Sequence, residues 1–223
     1  IAALSGAQLS KLSSDQTTNW DTAQIQAINL TAVAALSTDF VAGLTEEQVT
    51  ALTDKQVKAL TAEQLGAMSN VQIAAIDGKD LLGLSATELN TWSSEQFNAM
   101  SKAQIQSLSA AQISNLDDEI IQGMGQEEIQ ALTAAQVKAL TAGVSGQMTK
   151  FSAEQIAMFN HAAAGDNVSQ VGLFSAAQIQ ALSGEQVAGF TADQIRAMTA
   201  AQVGAFTEDQ AASITTDQVG AMS

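Results

Sequence analysis

Along residues 45–68 the apolar side chains fall on the fifth and eighth places of an eight-residue unit, which also opens on Thr and carries Gln fourth: TEEQVTAL, TDKQVKAL, TAEQLGAM. The unit S/T-x-x-Q-V/I-x-A-L repeats along almost the whole chain. Ser or Thr followed three residues later by Gln is the capping-box signature of a helix start. The Thr45, Thr53 and Thr61 hydroxyls are therefore expected to accept from the backbone N–H groups of Gln48, Gln56 and Gln64, whose amides reach back to the threonine N–H groups. Acidic residues frequent the third place, as at Glu47, Glu63 and Glu154. The positive end of a helix dipole favours them there.

The spacing excludes two alternatives. In one long helix eight residues advance the chain by roughly 800°, so the apolar pair drifts by about 80° per octad and never forms a single face. In a strand the fifth and eighth places point to opposite faces. In one short helix, residues three apart share a face. Helices below about 12 residues are marginal alone, so neighbouring octads must bury what one exposes. The expected fold is an all-α solenoid of very short capped helices, one per octad. Two octads per superhelical turn are expected, as alternating antiparallel helices bury both apolar edges between two layers. In such a stack the Gln column is expected to form a hydrogen-bonded ladder, because a primary amide both donates and accepts.

The register predicts a regular array over 1–148, an irregular insertion over 149–166 and a continuation of the same solenoid over 167–223. From Ser5 the eighth place is large and apolar through Leu12, Trp20 and onward to Met148, with no insertion. Octads with Ala32, Phe40, Asp80, Ile120 or Val144 in place of Gln are expected to fray or reshape. Beyond Met148 the residues outside the pattern amount to one octad plus two, read as a lengthened repeat with a loop near Ala164, Gly165 and Asp166, before the register resumes over 167–174. Residues 1–4 match the second half of an octad and Ser223 the start of another. These broken octads are expected to be completed by a longer chain or by end-to-end self-association.

Composition adds a core of Leu, Ile, Val, Met and Ala, with 4% aromatic residues and no Pro, Cys or Tyr. A net charge of −15, from 8 Lys+Arg against 23 Asp+Glu, argues against nucleic acid or an anionic membrane surface as partner. The absence of Cys excludes disulfides and thiolate metal sites. No stretch has the length and apolarity of a membrane span. His161, the one histidine, lacks evident catalytic partners, and Asp77-Gly78-Lys79-Asp80 and Asp117-Asp118-Glu119 lack EF-hand spacing and read as helix caps. No catalytic, cofactor or metal site is expected. The irregular segment, with Phe151, Asn160, His161 and Asp166, is the candidate interaction site.

The octads in LTAAQVKALTA and FTADQIRAMTAAQVGAFT resemble the repeat regions of very large secreted or surface-anchored bacterial proteins of the adhesin, haemagglutinin and haem-utilisation kind. The resemblance covers nearly the whole chain and implies an extracellular structural array. It transfers no functional residue, and a single His without Cys or Tyr leaves few axial ligands for haem. The expected function is a stalk, extender or filament segment. The alternative is a module that binds a protein or glycan through the solenoid surface or the 149–166 insertion.

Overall fold

The computed structural model describes residues 1–160 and 169–222. Among them the regular structure is helical throughout: α-helices of four to six residues and two 3-10 turns, Gln147–Thr149 and Val171–Leu173. The hydroxyl residue of each regular octad is extended, as in Thr53 at φ −82° and ψ 159°. Its Oγ1 accepts from the Gln56 N–H at 3.3 Å, and Gln56 Oε1 accepts from the Thr53 N–H at 3.0 Å. The same box closes between Thr45 and Gln48 and between Thr61 and Gln64. The helix stops at the eighth residue, where Leu60 (φ −65°, ψ 139°) is extended, and Thr61 extends again. Two extended residues in succession turn the chain through a corner.

The chain forms two compact units, Ile1–Leu108 and Ser109–Ser223, divided at an octad boundary. In the first, each helix packs on the third one along. Gly6–Leu9, Leu30–Ala34, Asp54–Ala59, Gly78–Leu81 and Lys102–Ser107 make one such column. Hydrogen bonds join successive turns in a fixed register. Gln56 Nε2 donates to the carbonyls of Ile25 at 2.8 Å and Ile28 at 2.9 Å, and Gln64 Nε2 donates to those of Val33 and Leu36 at 3.0 and 2.7 Å. These partners lie 31 and 28 residues back. Gln72 and Gln104 repeat the pattern. The second unit has the same columns, one running through Ala110–Ile113, Ala134–Ala139, Val171–Leu173, Ala192–Ala197 and Thr216–Ala221.

The expectation of two octads per turn is thereby corrected. Each helix packs on the third one along, so a turn takes three octads. The reason is the corner: antiparallel alternation needs a reversal at every cap, and two extended residues do not supply one. The expected Gln-to-Gln ladder is corrected too, since each amide bonds its own cap and the carbonyls of the preceding turn. Those carbonyls belong to the fifth residue, which also accepts from the eighth N–H of its own octad, and to the eighth residue, at the end of the helix. The core of each unit therefore contains the buried apolar pairs, such as Val57 with Leu60 and Leu65 with Met68, together with a buried row of amides whose Gln56 is 1% exposed.

This arrangement predicts an asymmetry between Gln and Glu. Gln64→Glu keeps the cap acceptor but removes the donor to Val33 and Leu36, and should cost about 1–3 kcal/mol. The exposed control Glu63→Gln should change stability by under about 0.5 kcal/mol. Conversely Glu88, which closes the Ser85 box with a carboxylate at 2.6 Å, stands in the column without a donor, and Glu88→Gln should raise the unfolding midpoint. Denaturant melts of the three variants check this; equal loss in Gln64→Glu and Glu63→Gln would refute the donor role.

Candidate functional site

At two places another group takes over a bond of the column. In the Ala32 octad the amide has moved to the cap: Asn29 Oδ1 accepts from the Ala32 N–H at 2.8 Å while Nδ2 donates to Ala2 and Leu4 carbonyls at 3.1 and 3.3 Å. Trp92 Nε1 donates to the Leu65 carbonyl at 3.0 Å, and Gln96 in the next octad bonds Gly66 and Met68 instead. The expected fraying is absent at Ala32, Phe40 and Ile120, whose octads keep the helices Leu30–Ala34, Thr38–Ala42 and Asp118–Gly123.

Asp80 is a departure buried without such compensation. Its side chain is 4% exposed and Oδ1 has no hydrogen-bond partner. Burial pushes its carboxyl above the ordinary value, with Lys79 pulling the other way. Asp77 caps the helix Gly78–Leu81 by accepting from the Lys79 N–H at 3.1 Å, and its other oxygen takes Lys79 Nζ at 2.9 Å. Lys79, chiefly through that hydrogen bond, holds Asp77 below its ordinary value. The segment 77–80 is a cap and a core position. Among the described residues no three His, Cys, Asp or Glu side chains converge to hold a metal ion.

Two lengthened octads carry the irregular features. Thr141 is a cap, but its glutamine partner is Gln147, six residues on instead of three: Thr141 N–H donates to Gln147 Oε1 at 3.2 Å and Gln147 N–H to Thr141 Oγ1 at 2.9 Å. Gln147 Nε2 reaches back to Ile113 and Leu116, so it is the column residue. The octad therefore spans 141–151, with Phe151 in its eighth place. In the second case Asn160 stands at the cap and Gln170 is ten residues on, its Oε1 accepting from the Asn160 N–H at 2.9 Å and its Nε2 donating to Ile129 and Leu132. This octad spans 160–174. Both insertions lie between cap and glutamine, and in both the α-helix is reduced to a 3-10 turn.

The register thus slips before Met148, within 142–146, and residues 167–174 are no octad of their own. Counting eight from each cap misses this. The pattern Gln-apolar-x-x-apolar, present as Gln147-Met148 with Phe151 and as Gln170-Val171 with Phe174, marks the true frame. Of the candidate interaction residues, Phe151 belongs to the core: it is 3% exposed and edge-on to Phe159 at 5.3 Å, which is edge-on to Phe174 at 5.1 Å. Asn160 is half-buried, and its carbonyl accepts from the Val171 N–H at 3.1 Å. His161 and Asp166 lie outside the described residues.

The shorter insertion shapes the surface. Gly143 takes φ +100°, and a Cβ at Gly146 would come within 2.6 Å of the Thr141 and Ala142 carbonyls, so both glycines are needed for the loop to close. At its tip Val144 is 99% exposed. On one side of it lies a cleft of about 510 Å³ between the 3-10 turn and residues 181–186, and on the other a cleft of about 440 Å³ over Ala177 and Ala181.

A family model described as the ALTTAQ repeat matches residues 73–110, which makes the chain similar to repeat proteins of that kind over this stretch. No curated protein matches the chain.

The Asp80 geometry predicts a pH-dependent defect. A carboxyl raised by burial contributes stability below the ordinary value of 3.8, and this is lost as the pH rises through its folded value. Asp80→Asn should therefore melt above the parent at neutral pH, with the gap closing in strong acid. Comparison at each pH removes the opposite effect of Glu47, Glu95 and Glu154, which hydrogen bonds hold below their ordinary values. A pH-independent gap in melting temperature would show that the charge is not responsible.

Proposed function

We propose that the chain is a structural repeat segment, a stalk, extender or filament-forming part of a bacterial surface protein. The observation that carries this reading is that the recurring polar side chain of the array bonds one turn to the turn before it. Gln48, Gln56, Gln64 and Gln72 are all buried and all engaged in this way. An array held so lengthens by adding octads, each bringing its own cap, apolar pair and amide. The acidic, sparsely basic composition keeps such a surface solvated, and the resemblance to large surface-anchored proteins supports an extracellular setting. Self-association end to end, or continuation within a longer chain, fits the same bonding.

A second reading, recognition of a protein or glycan partner, is favoured by one observation: both insertions fall between cap and glutamine, where the chain can bulge without moving the column.

The structural reading predicts which length changes the array accepts. A whole octad duplicated after Met68 should preserve cooperative melting and lengthen the particle in small-angle scattering. A half-octad at the same place should abolish the fold, whereas the same half-octad placed between Thr53 and Gln56 should be accommodated. Electron microscopy over a concentration series separates growing fibres from discrete particles. If the duplicated octad unfolds the protein or leaves its dimensions unchanged, the extender reading is wrong.

A further inference from the structure

The three residues added within 142–146 do more than interrupt the pattern. In the regular octads the second and third places begin an α-helix that covers its own edge. Here that turn is replaced by Gln147–Thr149, and the loop stands off the surface with Val144 at its tip. Val144 is more exposed than any other large hydrophobic residue described; Val71 follows at 60%. It lines both clefts, as does Ala181, so the two adjoin across one apolar ridge.

The clefts differ in chemistry. That over Ala142, Ala177 and Ala181 is small-residue and uncharged, with Gln180 at its side. The other has Phe151 and Leu182 at its base, hydroxyls from Thr149, Ser152 and Ser183, and the exposed carboxylates of Glu154 and Glu185. Neither glutamate pairs with a cation among the described residues, and Lys150 is taken by Asp118 at 2.6 Å. Hydrogen bonds from its own N–H and from Ser152 hold the Glu154 carboxyl below its ordinary value. An apolar base with two unpaired carboxylates suits a side chain with an aliphatic stem and a cationic head.

We propose that these paired clefts bind an extended protein segment in which a lysine or arginine follows an apolar residue. The apolar side chain lies over Ala177 and Ala181 against Val144, and the cation's stem passes Ala181 and Ala153 to bring its charge between Glu154 and Glu185. A glycan suits the place less well: stacking on a sugar needs an open aromatic face, and Phe151 is 3% exposed. The proposal goes beyond the structural role above and does not depend on it.

The test is an NMR titration of the whole chain, methyl-labelled, with a blocked Ala-Leu-Lys-Ala peptide at about 0.15 M salt, where general attraction to an acidic protein is screened. Saturable shifts confined to Val144, Ala181 and Leu182 are expected, with none from the norleucine analogue. The double variant Glu154→Gln, Glu185→Gln should weaken binding about tenfold or more, and Val144→Ser should weaken it as well. Glu47→Gln with Glu63→Gln should leave it within about twofold of the parent. All substituted positions are exposed, and circular dichroism confirms that the variants fold. Three results would each overturn the proposal: shifts spread over first-turn acids throughout the chain, equal binding of the norleucine peptide, or no saturable shift. An oligosaccharide that moves these signals when the peptide does not would assign the clefts to a glycan.

Discussion

One primary amide, placed fourth in an octad, touches backbone groups in two turns of the stack. Gln56 accepts from the N–H of Thr53 and donates to the carbonyls of Ile25 and Ile28, so it closes the start of its own helix and the end of another. In a helix of five or six residues nearly every backbone group is terminal, and each left buried and unpaired would cost roughly 1–3 kcal/mol. Only a side chain with both an acceptor and two donors on one carbon meets these needs together. Glu serves the cap and fails the turn below; Met or Leu fills the space and fails both.

The same constraint explains where the array varies. The eighth-to-first corner fixes direction and the fourth place fixes height, which leaves the interval between them free to lengthen. Thr141 to Gln147 and Asn160 to Gln170 show the interval doubled and more than tripled with the bonds to the preceding turn intact. Substitutions in the column follow the bonding as well: Asn29 carries its amide at the cap when Ala32 holds the fourth place, and Trp92 donates to Leu65 in place of Gln96. Asp80 has no such substitute and stays buried with an unpaired oxygen.

How far this was legible in the sequence follows from the range of each interaction. The caps at Thr45, Thr53 and Thr61 were readable because a capping box lies within four residues. The turn of three octads was not, because it depends on small dihedral increments summed over several corners. Gln over Glu in the column signalled a need for donors, but not whether they face another amide or a carbonyl. The frame around Val144 was misread because a cap can be counted from either side; Gln147 followed by Met148 carried the better signal. The cleft beside Glu154 and Glu185 was out of reach, since those residues come together only once a full turn has closed.

The buried amides of the column bond between turns in one direction. Gln48, Gln56, Gln64, Gln72 and Gln104 each donate to residues that precede them by 28 and 31 positions. A chain emerging from a ribosome or a secretion channel with its N-terminus first therefore presents acceptors before the donors that will meet them. Each new octad can lock onto a turn already outside, without waiting for the rest of the polypeptide. Folding becomes a ratchet advanced one octad at a time, its contacts never reaching far along the chain, and the carbonyl edge of the latest turn is the template for the next.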